Sequence, residues 1–336
     1  MKICICGGGS LGHVISAWTA SRLVAEVSVY THRPRLWTSC ITADTPSGEI
    51  IEGRLACVSD DPGKVIPDAD VVLLCYPGFM IERCLREIGP FLKADTFVGA
   101  VVSSTGFFFE AQKILSPMQP LWGFQRAPFI ARVAEYGRSA HLLGFKNSLR
   151  VAVENVPDAR KAEFTEFLSE WFGLPVTLLT SHYEASLTNS NPLLHPARLY
   201  DLFGGENEGR VYEEQPLFYE QWSERASQYL ISLDRELFAL LDVLPVSPGF
   251  LPTILDYYES TDAASLAAKL RSIPAFRGIP APAVKTAEGW VPDTSSRYFQ
   301  EDFPYGLRYI CELALERGVE VPVMDSLLAW GLRKCK

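Results

Sequence analysis

Apolar positions along this chain change their rhythm once, near residue 181. Before that point short continuous apolar runs alternate with stretches at helical spacing. After it nearly all of the signal is helical. The runs at 2–6, 27–30, 69–76, 96–102, 149–153 and 175–179 predict strands, and their near-continuous apolar character suits a sheet covered on both faces. Between them Val14, Ile15, Trp18 and Leu23 mark a helix over 11–23, while 81–92 and 158–172 mark two more. Ser47-Gly48-Glu49 predicts a hairpin. In the second half, 217–243 predicts one long amphipathic helix, 248–258 another and 263–270 a third. Pro304 opens a further helix reaching about residue 317, and 323–333 closes the chain. The segment 273–292, rich in Pro and Gly, is the longest without periodicity. Alternating strands and helices followed by helices alone give two expected domains: 1–180, an α/β doubly wound sheet, and 181–336, all-α.

The first apolar run ends in Gly7-Gly8-Gly9-Ser10-Leu11-Gly12 and leads into a helix. Strand, G-x-G-x-x-G and helix in that register is the Rossmann-type dinucleotide signature. Gly7 permits the tight turn, Gly9 lets a pyrophosphate approach the backbone, and Gly12 lets the helix pack on the strand. The N–H groups of Ser10 and Leu11 at the helix start face the phosphates. Enzymes that use NAD usually carry Asp or Glu after the second strand for the ribose 2′-hydroxyl. Here the chain reads Thr31-His32-Arg33-Pro34-Arg35. A guanidinium at Arg33 with the Thr31 hydroxyl and His32 beside it suits a 2′-phosphate, so NADP(H) is favoured over NAD(H). A solvated basic loop is the alternative. Tyr76 and Pro77 end the run at 69–76, where an open α/β sheet borders its ligand.

With 48% hydrophobic and 21% charged residues the 336-residue chain has the composition of a soluble protein. The net charge of -9 argues against nucleic acid as a partner. No apolar run reaches the roughly 20 residues a membrane span needs, and Met1 runs straight into the first strand, leaving no room for a signal peptide. The expectation is a cytoplasmic protein with small-molecule substrates. Its eight cysteines form no CxxC pair, so neither a zinc site nor a disulfide framework is expected.

Asn189-Ser190-Asn191-Pro192-Leu193-Leu194-His195-Pro196 begins the helical half. Asn191 suits an N-cap and Pro192 the first helical position. Pro196 biases His195 away from helical dihedrals. Together they predict a bend that presents an asparagine and a histidine, against the alternative of an ordinary helix start. His13, His32, His141 and His182 read as structural, with His32 also a candidate cofactor contact. About a hundred residues later comes Ser296-Arg297-Tyr298-Phe299-Gln300-Glu301-Asp302-Phe303-Pro304-Tyr305-Gly306-Leu307. Arg297 and Glu301 stand four apart, as a surface ion pair would.

The glycine loop, N-P-x-x-H-P and S-R-Y-x-x-E-D-x-P-Y-G-L in this order resemble the opine dehydrogenase family, the octopine and nopaline dehydrogenases, over both halves. That resemblance implies NAD(P)H-dependent joining of an amino acid's amino group to a 2-oxo acid, with reduction of the imine. It implies His195 as catalytic acid/base, Asp302 as its partner, Arg297 as clamp on the oxo-acid carboxylate, and Asn191 as a positioning group. It also implies a substrate-touching segment over Trp122, Gln125 and Arg126. The same plan serves simple 2-oxo acid reductases of the ketopantoate type, which generally use a lysine acid. Between 182 and 300 only Lys269 and Lys285 are available. A non-catalytic NADP(H)-sensing protein is the reading from another class. A homodimer through the helices is the analogy that two-domain enzymes of this plan offer.

Overall fold

The computed structural model describes residues 1–22 and 25–335. Two compact units divide the chain, Met1–Thr188 and Asn189–Lys336. The first unit holds strands β1 (Lys2–Cys6), β2 (Glu26–Tyr30), β3 (Cys40–Asp44), β4 (Ile50–Arg54), β5 (Cys57–Ser59) and β6 (Val71–Leu74). Six more follow: β7 (Phe97–Ala100), β8 (Leu121–Phe124), β9 (Phe129–Glu135), β10 (Ser139–Phe145), β11 (Leu149–Glu154) and β12 (Val176–Leu178). Its helices are α1 (Ser10–Arg22), α2 (Gly78–Ile88), α3 (Phe107–Ile114), α4 (Asp158–Phe172) and α5 (His182–Ser186). The end of the expected first helix at Leu23 lies outside the described residues.

An eight-stranded sheet runs β12-β11-β8-β7-β6-β1-β2-β5, parallel throughout except for the antiparallel β8–β11 pair. Chain order reverses between β1 and β6. The carboxyl ends of those two strands therefore form the switch point at which such sheets bind ligands. β1 and β6 are buried residue after residue, as strands covered on both faces must be. A second sheet, β4-β3-β10-β9, packs on the opposite side of α1. Residues 12–19 of α1 are consequently buried on every side. That is why its apolar positions wrap round the helix instead of forming a single stripe.

Residues 121–130 hold the whole of β8, which ends at Phe124, and the start of β9 at Phe129. The hairpin β9–β10 and helix α3 carried no clear period and were not expected. Trp122, expected in a substrate-touching segment, is a core residue, fully buried against Phe124, Phe164 and Trp171.

The second unit holds α6 (Asn191–Phe203), α7 (Glu224–Leu241), α8 (Ile254–Tyr257) and α9 (Ala263–Ser272). A short hairpin of β13 (Ala283–Lys285) and β14 (Trp290–Pro292) follows inside the aperiodic segment. Then come α10 (Arg297–Gln300), a π-type turn (Phe303–Leu307), α11 (Arg308–Arg317) and α12 (Pro322–Lys334). The expected helix at 217–243 begins only at Glu224, and the one at 248–258 shrinks to Ile254–Tyr257. Carboxylates of α7 set the neighbouring helices. Glu236 accepts the N–H groups of Val323 and Met324, each at 2.8 Å, and so caps α12. Asp234 accepts Ile254 N–H at 3.0 Å.

No helix among the described residues is long and apolar enough to cross a membrane.

Candidate active site

Helix α6 carries the histidine, and His195 keeps the helical conformation that Pro196 was expected to disfavour. Ser190 rather than Asn191 takes the N-cap position, Asn191 is already helical, and the helix continues through His195 and Pro196 to Phe203. An interior proline costs about 3 kcal/mol. Fully burying a leucine contributes about 1.5–3 kcal/mol, and α6 buries Leu193, Leu194, Leu199 and Leu202. Tertiary packing against α7 and α12 therefore outweighs the local preference.

Asp302 reaches His195 through the π-type turn. Leu307 N–H bonds to the Asp302 carbonyl five residues back, at 2.8 Å. Such turns widen a helix locally and recur at functional sites. Gly306 lies against the start of α6, where a Cβ would stand 2.7 Å from Pro192 Cγ. On the other side Phe303 fills the space left by Gly331. These two glycines seat the turn so that His195 Nδ1 donates to Asp302 Oδ2 at 2.7 Å. The two side chains are only 10% and 16% exposed, so the bond is poorly screened. With Nδ1 engaged, Nε2 is the nitrogen left to exchange a proton with a bound molecule.

Aromatic rings fix the imidazole. Tyr298 lies 4.3 Å from it, centroid to centroid, and Phe218 meets it edge-on at 5.5 Å. Burial, with the Asp302 charge adding to it, raises the Tyr298 phenol above the usual tyrosine range. Phe218 is held in turn by Arg198, which is 1% exposed. Its guanidinium donates to the carbonyls of Phe218 (2.8 Å), Leu217 (3.1 Å) and Gln221 (2.7 Å), and to Asp201 Oδ2 at 2.6 Å. Those carbonyl bonds explain why 217–223 stays out of the helix that its apolar spacing suggested.

Arg297 is 81% exposed, and its Nε–Nη2 edge is bound to both oxygens of Glu301, at 2.9 and 2.7 Å. The i, i+4 pair is therefore real. A carboxylate held by the same edge would have to replace Glu301. Asn191 is exposed, with its N–H on Asn189 Oδ1 at 3.2 Å. Lys269 pairs with Glu259 on an exposed surface, and Lys285 is exposed on β13. Neither takes the place of His195.

In the first unit the glycine loop follows β1 to the switch point. Gly7 has φ +121°, a region that side chains rarely adopt, and a Cβ on Gly12 would collide with the Gly7 carbonyl oxygen. A Cβ on Gly9 would meet nothing within 4 Å. The first helical bond runs from His13 N–H to the Gly9 carbonyl, so Ser10, Leu11 and Gly12 N–H groups have no intrahelical acceptor. An open backbone face at a helix start suits a dinucleotide pyrophosphate. Ser10 Oγ itself is engaged, accepting from Val133 N–H at 3.2 Å.

Thr31 is buried beside this loop, and Arg33 lies next to it, with its guanidinium 5.8 Å from the Tyr136 ring centre. His32 stands 3.9 Å from Glu87. Tyr76 packs on Gly7, Pro77 precedes α2, and burial raises the Tyr76 phenol far above its usual range. Val102, at the carboxyl end of β7, holds φ +89°, strain of a kind that clusters at functional sites. Gln125 is tied to the Glu184 carbonyl and Thr188, while Arg126 is exposed. His13, His141 and His182 all make contacts within this unit.

Sequence reasoning passed over Tyr298, Phe218, Arg198 and Tyr136. Tyr298 had a signal, standing four residues before Asp302 and so sharing its face. Arg198 had one too, as a charge inside an apolar helix three residues before Asp201. Phe218 and Tyr136 come from loops and had none.

Residues 178–334 match the family model for the alpha-helical domain of NAD/NADP octopine/nopaline dehydrogenases. The chain is 28% identical to octopine dehydrogenase of Mizuhopecten yessoensis over 362 aligned positions, covering 99% of this chain and 90% of that one. It is 26% identical to tauropine dehydrogenase of Arabella iricolor, covering 97% and 89%. A solved octopine dehydrogenase with NADH and L-arginine superposes with a TM-score of 0.84 at 25% identity, over 99% of this chain and 89% of that one.

Proposed function

We propose that the chain is an opine dehydrogenase preferring NADP(H), a reading supported by the match of residues 178–334 to the family model for the helical domain of the octopine/nopaline dehydrogenases. The observation that carries this reading is the 2.7 Å bond between His195 and Asp302, two residues 107 positions apart in the chain. It gives the helical unit a buried histidine with one nitrogen fixed by a carboxylate and the other left to exchange a proton, the arrangement an acid/base catalyst requires.

In this reading an amino acid's amine attacks the keto carbon of a 2-oxo acid. One amine proton passes to the keto oxygen, His195 gives it the Nε2 proton, the oxygen leaves as water, and the carbon–nitrogen double bond forms. When bound, a reduced nicotinamide would supply the hydride for that carbon, and the glycine loop would hold it. Asp302 holds the ring and stabilises imidazolium while it carries the extra proton. Tyr298 and Phe218 keep it from rotating away. Arg297 binds the oxo-acid carboxylate through its planar fork, taking the substrate in place of Glu301, and Asn191 orients substrate or nicotinamide. Gly7, Gly9, Ser10, Leu11 and Gly12 would cradle the pyrophosphate. Thr31, His32 and Arg33 would read the adenosine ribose, and Tyr76 and Pro77 would border the cofactor.

The test follows NADPH oxidation by purified protein, with NADH in parallel, offering pyruvate and other 2-oxo acids with and without a panel of amino acids. Oxidation that requires both substrates and disappears in His195→Ala supports the reading. Oxidation with an oxo acid alone would make the protein a simple 2-oxo acid reductase. NADPH binding without turnover across the panel would favour the sensor reading.

A further inference from the structure

The turn joining β9 and β10 belongs to a hairpin of the second sheet, yet it lies against the glycine loop. Gly137 N–H donates to His13 Nε2 at 2.7 Å, which fixes the proton on Nδ1, and Nδ1 donates to the Gly9 carbonyl at 2.9 Å. One buried imidazole thus bolts the turn to the loop. His13 also packs on Trp37 and Tyr136, with ring centres 4.3 and 5.1 Å away. The turn is therefore a fixed part of the loop's surroundings.

Its half-buried Tyr136 is carried to a particular point. A Cβ on Gly8 would collide with the Tyr136 hydroxyl and stand 2.8 Å from Thr31 Oγ1. The two hydroxyls are 3.4 Å apart, and Arg33 N–H approaches Thr31 Oγ1 at 3.5 Å. Both contacts are long enough to leave the hydroxyls ready for a better acceptor. The Arg33 guanidinium lies over the Tyr136 ring, which steers a flexible cation towards the same point. A phenol, an alcohol and a guanidinium from separate stretches of chain thus converge between the glycine loop and the end of β2. That is where a doubly wound sheet holds the adenosine ribose.

We propose that Tyr136 is a third reader of the cofactor's 2′-phosphate, donating its phenolic proton to it alongside Thr31 and Arg33. The inference rests on the NADP(H) preference proposed above and adds a residue from outside the nucleotide motif. The ring holds Arg33, and the hydroxyl meets the phosphate. NADH has a hydroxyl in place of that phosphate, so the phenol contributes little to binding it.

Tyr136→Phe separates the two parts, because it keeps the ring and removes only the hydroxyl. Dissociation constants for NADPH, NADH, 2′,5′-ADP and 5′-AMP are measured by calorimetry on the full-length wild type, Tyr136→Phe and Arg33→Ala. Tyr136→Phe should weaken NADPH and 2′,5′-ADP about tenfold, the effect of losing one hydrogen bond to a charged group. NADH and 5′-AMP should stay within about twofold. Equal weakening of all four ligands would mean that the hydroxyl only supports the loop, and that overturns the proposal. No change in Tyr136→Phe while Arg33→Ala loses NADPH would overturn this inference and keep the NADP(H) reading. A wild type that binds NADH as tightly as NADPH would overturn both.

Discussion

Replacing Asp302 by Asn keeps the shape of the dyad and removes its charge. The bond to His195 is 2.7 Å long, and its partners are 10% and 16% exposed, so solvent screens it little. Hydrogen bonds to charged groups contribute about 1.5–3 kcal/mol, and each 1.4 kcal/mol is a decade in rate. The amide still accepts from Nδ1–H but stabilises imidazolium poorly, so kcat should fall between about tenfold and a few hundredfold. The π-type turn depends on the Asp302 backbone carbonyl rather than on its side chain. The melting temperature should therefore change little. The assay is steady-state NADPH oxidation at saturating oxo acid and amino acid, with thermal unfolding of the same samples. Because Asp302 acts through His195, the loss should fall on kcat, with the KM values nearly unchanged. A kcat within twofold of wild type, or a loss confined to KM, would refute the reasoning.

Three other predictions follow from particular contacts. Gly306→Ala places a Cβ 2.7 Å from Pro192 Cγ, so it should push the π-type turn off α6 and cost at least about tenfold in kcat; activity within twofold of wild type would contradict the seating described for Asp302. Arg297→Lys keeps the charge but loses the planar fork, so the KM for the oxo acid should rise about tenfold with kcat nearly preserved; unchanged kinetics would reduce Arg297 to its surface pair with Glu301. Asp234 is raised to about 6 by burial, opposed by its bond from Ile254 N–H and aided by the Asp256 charge. Its folded value therefore lies above the unfolded one of about 3.9, and the stability this proton binding contributes is present below about pH 4 and lost as pH rises through about 6. Asp234→Asn should gain on wild type by about 2–3 kcal/mol between pH 4 and 7.5 in denaturant unfolding; a difference that stays flat with pH would count against it.

The dyad was legible because its two halves sit in dense local motifs, N-P-L-L-H-P and S-R-Y-F-Q-E-D, whose residue types are costly outside a site. The glycine loop and the strands at its switch point were legible for a related reason. Strands buried on both faces leave near-continuous apolar runs, and their short length with flanking turn residues marks them as strands. What escaped the sequence was tertiary in origin. β9 is buried only where it meets α1 and the aromatic cluster, so most of its residues are exposed or half-buried and its period is faint. Residues 217–223 have helical spacing, yet Arg198 claims their carbonyls, and that guanidinium is twenty residues away in sequence. Pro196 argues locally against helical dihedrals at His195, and the packing of α6 overrules it. The five-residue hydrogen bond that aims Asp302 leaves no mark in residue types, since Pro304 predicts a helix start with or without it.

The most direct test of the central claim is the identity of the product. Purified protein is incubated with NADPH, a 2-oxo acid and an ¹⁵N-labelled amino acid, and the mixture is resolved by mass spectrometry. The predicted product is a secondary amine carrying the label, with the mass of the two substrates less one water plus two hydrogens. It should be absent with His195→Ala. A 2-hydroxy acid in its place, with the amino acid recovered unchanged, would contradict the claim.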